Sequence, residues 1–307
     1  MTIEPRPYRD YSDFDKLRHI LIEGRQADNG SYYVHIGDVN WWLFYPDQSA
    51  EFSQRIFFWE DKDDVLGWCL LTPDEGYWDV FVHPRLRQTA RAEAMLVWAE
   101  ERLTEMVKAK GGDKVCVFWI DERDDWRRSL LEQRGYVLRH SDPQFTRSLA
   151  GSLPEPVVPE GFVMRASAGE AEAESRARAS YAAFKSKWEW DKYMHRRISF
   201  MRSPVYENER DMVAVAPDGT IAAFAIHWFD PVNKVGNFEP VGAHPDYQRR
   251  GLGRAVLLDS MRRMKAHGME TAIVGTNHDN EAAIKLYESV GFRLRHRDCD
   301  YAKNISA

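Results

Sequence analysis

The chain of 307 residues is written twice, and that duplication constrains the fold more than any single motif. The segment VFVHPRLRQTARAEAMLVWAEERL, from Val80, has the layout of PVGAHPDYQRRGLGRAVLLDSMRRM, from Pro240. In each, a strand-like run ends in His-Pro, a short basic turn follows, and an amphipathic helix begins. Further on, DKVCVFWIDERDDWRRSLLEQRGYVL parallels METAIVGTNHDNEAAIKLYESVGFRL. Both read as strand, polar turn, helix, then glycine and an aromatic residue opening another strand. A repeated order of strand and helix indicates an α/β (α+β) unit present in two copies. The length suits two domains of roughly 150 residues. Between the copies, SLAGSLPEPVVPEG carries three prolines and little periodicity, as a linker does. The expected division is a first domain over 1–147, a linker over 148–160 and a second domain over 161–307.

Within the second copy the pattern resolves into elements. DMVAVAPDGTIAAFAIHWF is two apolar runs joined by a Pro-Asp-Gly-Thr turn, a hairpin signal. A third strand spans 235–243, and Pro240 within it lacks an N–H, so the strand must bulge or part from a neighbour there. A helix over 252–266 is stopped by Gly268, a strand follows over 271–275, and a helix over 281–289 ends at Gly291.

The net charge of −6 argues against nucleic acid or an anionic membrane surface as the main partner, since both reward clustered positive charge. The N-terminus has no apolar core of a signal peptide, and no apolar run approaches the ~18 residues of a spanning helix. Cys69, Cys116 and Cys299 are odd in number and contain no CxxC pair, which excludes a disulfide framework and a zinc site legible in sequence. Buried thiols in a cytoplasmic protein without metal are the expectation.

Against that acidic background, Gln248, Arg249 and Arg250 stand directly before Gly251, Leu252 and Gly253, with Arg254 beyond. The GxxxxGK[ST] of a phosphate-binding P-loop is absent, and Val256 occupies the third position a dinucleotide fingerprint requires. What remains is a strand, Gln-x-x-Gly-x-Gly and a helix. Backbone N–H groups of such a turn converge at the positive end of a helix dipole, a ready pyrophosphate site, although a plain helix start with solvated arginines has the same spacing. A second cluster lies in NHDNEAAIKLYESVGF: Asn280, Ala283 and Tyr287, at i, i+3 and i+7, share one helical face.

These two motifs resemble the signatures of the GNAT superfamily of acyl-CoA-dependent N-acetyltransferases, Q/R-x-x-G-x-G/A and N-x-x-A-x-x-L-Y-x-x-x-G-F, in the family's order. The resemblance covers the second half; the first matches in layout only. It implies tandem GNAT domains, each a mixed, mostly antiparallel twisted sheet flanked by helices, with acetyl-CoA as co-substrate in a cleft where the fourth and fifth strands splay. By resemblance, Val241, Gly242 and Ala243 pair with the pantetheine arm and polarise the thioester carbonyl, and the turn 248–254 holds the pyrophosphate. Asn280 bonds the pantetheine beside small Ala283, and Tyr287 protonates the departing thiolate. Glu239, on the same strand, is the candidate base for the acceptor amine, with a strand-end ion pair as its other reading. His278 is an alternative base, whereas His83 and His244, each before a proline, read as turn residues.

The acceptor site is expected from the start of each half. FKSKWEWDKYMHRR offers Trp188, Trp190, Asp191 and Tyr193, an aromatic and acidic mix suited to a cation or sugar, unless these rings are packing. GDVNWWLFYPD lies at the matching place in the first half. The expected function is acetyl transfer to a primary amine of a small molecule by a monomer or weak homodimer. Acylation of a protein or peptide terminus, a longer acyl donor, and a non-catalytic acyl-CoA sensor are the alternatives. The first copy is expected to be degenerate: Ala90 and Ala92 replace Gly251 and Gly253, while Asp124, Arg127 and Leu131 replace Asn280, Ala283 and Tyr287, and only Arg87 keeps a basic contact.

Overall fold

A computed structural model describes residues 4–27, 33–45, 51–62 and 64–305. Its compact units interleave along the chain. One comprises residues 1–34, 49–144 and 296–307, the other residues 35–48 and 145–295. The units therefore cross the expected linear boundaries: residues 35–48, which hold the helix Ile36–Phe44, and residues 145–160 group with the second unit, and most of the last strand with the first. Residues 149–160 have no regular structure, but Leu149 and Leu153 are buried in the second unit's core.

The first unit's strands neighbour one another in the order β1 (Arg6–Pro7), β2 (Ile56–Asp61), β3 (Asp64–Thr72), β4 (Tyr77–Val82), β5 (Lys114–Asp121) and β12 (Arg293–Asn304). Only the β4–β5 pair is parallel among the registers of this unit. Helices α1 (Tyr11–Ala27), α3 (Phe52–Arg55), α4 (Ala90–Ala109) and α5 (Asp125–Gln133) accompany the sheet. All three cysteines are buried and free.

In the second unit, β6 (Val137–Ser148), β11 (Thr271–Gly275), β10 (Val235–Ala243), β9 (Ile221–Asp230), β8 (Asp211–Val215) and β7 (Val163–Ala166) lie side by side in that order. The β10–β11 pair is parallel, and β7–β8, β8–β9 and β9–β10 are antiparallel. Helices α2 (Ile36–Phe44), α6 (Ala173–Ala183), α7 (Trp190–Met201), α8 (Leu252–Ala266) and α9 (Glu281–Ser289) complete it. Each unit is thus the mixed, mostly antiparallel sheet with flanking helices that the sequence implied.

Local chemistry explains the centre. Nine of the ten residues of β9 are buried, as in a strand covered on both faces. The turn before it closes as a hairpin, with Ala216 N–H donating to Thr220 O at 2.8 Å and Gly219 at φ +86°. On α8, Leu252, Ala255, Val256, Leu258, Met261 and Met264 recur at helical spacing and enter the core. Gly236 permits that contact: a Cβ there would lie 2.5 Å from Met264 Sδ. No helix among the described residues is long and apolar enough to cross a membrane.

Candidate active site

Strand β10 opens as Pro240 predicts. Its parallel ladder with β11 runs from Val235–Thr271 to Phe238–Val274 and stops. The antiparallel ladder with β9 slips between Phe238 and Val241, then resumes through Ala243. The peptide groups of Val241, Gly242 and Ala243 beyond the parting can therefore meet an extended ligand as an added strand. Gly242 is small for a different reason: a Cβ would lie 2.4 Å from the Phe224 ring.

The basic turn follows at once. His244 is a turn residue, its Nδ1 accepting from Asp246 N–H at 3.3 Å, and His83 does the same for Arg85 at 3.2 Å. Arg249 and Gly251 both take left-handed backbone, at φ +61° and +80°. Gly251 is the N-cap of α8 without a side-chain cap, and a Cβ on it would meet nothing within 4 Å. Its glycine is thus required by backbone angle rather than by crowding. The start of α8 thus has no side-chain cap and open space beside Gly251, at the positive helix end that suits a pyrophosphate. Gly253 is held small by helix packing, since a Cβ would sit 3.3 Å from Leu286 Cδ2. Leu252 anchors the turn in the core. Gln248 Nε2 donates to Ala243 O at 3.4 Å, tying the turn to β10. Arg249 and Arg250 are exposed and Arg254 is half-buried; Arg250 lies 5.3 Å over the Tyr247 ring.

Sequence reasoning missed one more cation at this end. Arg147, in the part of β6 that joins the second unit, comes within 3.3 Å of the place a Cβ on Gly291 would occupy. Burial, and next the Arg254 charge, hold its pKa below the ordinary arginine value, and its buried Nη1 lacks a hydrogen-bond partner. Nothing in its local sequence distinguishes it; only the return of β6 beside β11 brings it here.

On α9, Asn280 is the N-cap, its Oδ1 accepting from Ala283 N–H at 3.2 Å. A contact from Asn280 to a pantetheine would use its Nδ2. Ala283 is half-buried, and Tyr287, 5% exposed, packs edge-on against Phe145 at 6.0 Å. Burial and then the Glu239 carboxylate push the Tyr287 phenol above its ordinary pKa, so it keeps its proton at neutral pH. The helix 281–289 and the strand 235–243 therefore bring expected acid and base into one electrostatic neighbourhood.

Glu239 is part-buried on β10. Removal from water, and second the Asp38 carboxylate, push its pKa up to about 8. Asp38 comes from α2, which the first half supplies to this unit. Its Oδ2 accepts from His35 N–H at 2.7 Å, and its Oδ1 from Asn237 Nδ2 at 2.6 Å, two residues before Glu239. His35 locks the other side: Nδ1 accepts from Gly37 N–H at 2.9 Å, so Nε2–H donates to Val235 O at 3.2 Å. Trp228 Nε1 donates to Glu239 O at 2.8 Å, and Gly37 is required because a Cβ would lie 2.4 Å from that indole. The motif GDVNWWLFYPD holds Asp38, but its capping role at His35 was the only local sign of its position. His278 is exposed in the turn before α9.

Of the expected acceptor residues, Trp190 and Tyr193 stack on each other at 6.3 Å. Tyr193 is buried, its hydroxyl donating to Ser180 Oγ at 2.9 Å. Trp190 is edge-on to Tyr181 at 5.5 Å and carries Arg178 at 4.8 Å. Trp188, 41% exposed, already faces Arg196 at 3.8 Å and Lys192 at 4.8 Å. Asp191 is exposed in the first turn of α7. Packing and local cations thus occupy the three rings.

In the first unit the equivalent places are filled. Thr89 caps α4, accepting from Ala92 N–H at 3.3 Å, and only Gln88 of that turn is left-handed, at φ +59°. Asp124 caps α5 as Asn280 caps α9, accepting from Arg127 N–H at 3.1 Å. Arg127 is buried and donates to Asp79 Oδ1 at 3.3 Å, while Tyr33 donates a short hydrogen bond to the other Asp79 oxygen. Leu131 is 1% exposed in the core.

The acetyltransferase (GNAT) family model matches residues 174–292. A mycothiol acetyltransferase of Nocardia farcinica is 34% identical over 262 residues, covering 82% of this chain and 84% of the relative. One of Rhodococcus erythropolis is 31% identical over 269 residues, covering 82% and 86%. Among solved structures, a GCN5-related N-acetyltransferase of Sphaerobacter thermophilus aligns at TM-score 0.69, 18% identity and 99% and 96% coverage. A tandem GNAT protein from the clavulanic acid biosynthesis pathway aligns at TM-score 0.68, 14% identity and 99% coverage of both chains. The chain belongs to the GNAT family and is an acetyl-CoA-dependent acetyltransferase of tandem architecture, like mycothiol synthase.

Proposed function

We propose that the second unit carries the reaction and moves the acetyl group to a primary amine of a small molecule. The observation that carries this reading is the parted edge of β10, with Glu239 at the parting, Tyr287 in its field and the uncapped α8 beyond it. The residues present fit acetyl-CoA, which supplies the thioester. The pyrophosphate would meet the N–H groups of 251–254, the side chains of Gln248, Arg249, Arg250 and Arg254, and Arg147. The pantetheine would lie along Val241, Gly242 and Ala243, with Asn280 and Ala283 on its other side.

Glu239 takes a proton from the acceptor ammonium, directly or through one water, and the free amine attacks the thioester carbonyl. A backbone N–H of 241–243 aimed at the developing oxyanion contributes about 3 kcal/mol. The C–N bond forms, the C–S bond breaks, and Tyr287 gives its proton to the departing sulfur. Glu239 releases that first proton to solvent, takes the second proton from the nitrogen as the adduct collapses and returns it to the Tyr287 phenoxide, so one amine proton ends in solvent, one on the thiol, and both groups are reset. The acceptor enters past α2 and α7. The relatives are named for mycothiol, so its desacetyl precursor is the first acceptor to try. Thiol release from acetyl-CoA, followed with that amine, simple primary amines and an N-terminal peptide, tests the reading. Turnover with the peptide alone, or with none, would overturn it.

A further inference from the structure

Behind β9 and β10 lies a polar cluster that the reaction does not use. Arg176 on α6 and Arg197 on α7 are each 0% exposed. Arg176 Nε donates to Asp211 at 3.0 and 3.1 Å, and Arg197 Nη2 to Ser180 Oγ at 3.2 Å. Among the described residues the other four nitrogens have no hydrogen-bond partner: Arg176 Nη1 and Nη2, and Arg197 Nε and Nη1. Aromatic rings take guanidinium faces, Phe224 at 3.8 Å from Arg176 and Tyr45 at 5.1 Å from Arg197, and leave the N–H edges unmet. Asp211 is itself fully buried and shared, accepting also from Tyr206 at 3.0 Å. Tyr193 spends its hydroxyl on Ser180.

Among the described residues, two buried cations share one buried carboxylate, and the Arg197 charge opposes that of Arg176. Water would satisfy N–H groups but not the charge, and an unpaired buried charge is among the costliest states a fold can hold. No exposed side chain of the cluster offers an entrance for a polyatomic ligand. We propose that Arg176 and Arg197 together bind one buried monatomic anion of the halide class, chloride in ordinary buffers. The site lies one layer beneath the reaction strand, because the Phe224 ring that stacks on Arg176 is the same ring that excludes a Cβ from Gly242. The anion therefore supports the position of β10 without touching substrate.

The test uses the full chain purified and crystallised in bromide, with anomalous diffraction measured at the bromine edge. The expected result is one anomalous peak within hydrogen-bonding reach of Arg176 Nη1 or Nη2 and Arg197 Nε or Nη1. Ordinary water density with no anomalous signal there overturns the proposal. In parallel, the melting temperature is followed at constant sodium while chloride replaces gluconate. It should rise with the logarithm of chloride concentration, as for a ligand held by the native state alone. Equal melting in both salts counts against the site, and an undiminished chloride response in Arg197→Met puts the response elsewhere. If that variant does not fold, the bromide map on the unaltered protein decides.

Discussion

Replacing Asp38 with asparagine is the sharpest probe of how the first half of the chain serves the reaction. Asn keeps an oxygen to cap α2 at His35 N–H, and the Asn237 amide can turn to present its oxygen to the new Nδ2, so the packing survives. What disappears is a negative charge beside Glu239. The Glu239 pKa rises from 4.5 to about 8, first through burial and second through Asp38. Removing the smaller cause returns less than half of that rise, so the acid limb of kcat/KM should move from about 8 to no lower than about 6. The sign follows from the base having to be ionised: Asp38→Asn should be faster than the unaltered enzyme at pH 6, by up to tenfold for each pH unit the limb moves. Above the native limb it should be equal or slower, because a less basic carboxylate accepts the proton less well. The assay is thiol release under saturating acetyl-CoA from pH 5.5 to 9.5, with Glu239→Gln as the control that lacks the limb. An Asp38→Asn limb that stays in place while Glu239→Gln abolishes it would refute the coupling. A limb that persists in Glu239→Gln would refute the base.

Tyr287→Phe keeps the packing against Phe145 and removes the proton, so kcat should fall by ~10² or more with acetyl-CoA affinity little changed; equal kcat would mean that another group protonates the sulfur. Gly251→Leu forces a side chain into left-handed backbone and over the open N–H groups of α8, and should abolish the thermal upshift that acetyl-CoA gives the native protein. Glu239 binds its proton more tightly folded than unfolded, so native stability contributed by this group is present below pH 4.5 and lost as pH rises toward about 8. Glu239→Gln should therefore gain melting temperature relative to the native enzyme at pH 8.5 and not at pH 4, and an equal difference at both would assign the gain to packing. Calorimetry should find one acetyl-CoA site per chain, lost in Gly251→Leu, and a second site surviving that change would return binding to the first unit.

Much of the second unit was legible because its signals are local. Strand ends at Val235 and Ala243, the start of α8 at Leu252 and the span of α9 follow from apolar period, Pro240, and glycines at 251, 268 and 291. The reasons attached to glycine were less legible: Gly242 answers to Phe224 and Gly253 to Leu286, contacts between elements that no spacing reveals. The contacts of the expected acceptor residues were hidden for the same cause. An aromatic run such as Trp188, Trp190 and Tyr193 reads alike whether it faces a ligand or its own helices, and here Arg196, Arg178 and Ser180 take the faces and hydroxyl. Asp38 and Arg147 were beyond reach because each is carried into the second unit by chain that precedes it.

The first unit repeats the frame of the second with different side chains at the corresponding positions. At position 124 the swap is architecturally silent, since aspartate caps α5 as asparagine caps α9. The next change is not. Arg127, where the second unit has alanine, brings a cation into the interior, and burial of its partner pushes Asp79 up to about 6 even against the pull of Arg127 and Tyr33. With Tyr33 and Arg127 both donating to the buried Asp79, removing either donor leaves the carboxylate short of a partner without water. Thr89 takes one of the leading N–H groups of α4, that of Ala92, which a phosphate could otherwise use. Restoring glycine at 90 and 92 would not by itself recover a site, because the acid face would still hold Arg127 and Leu131.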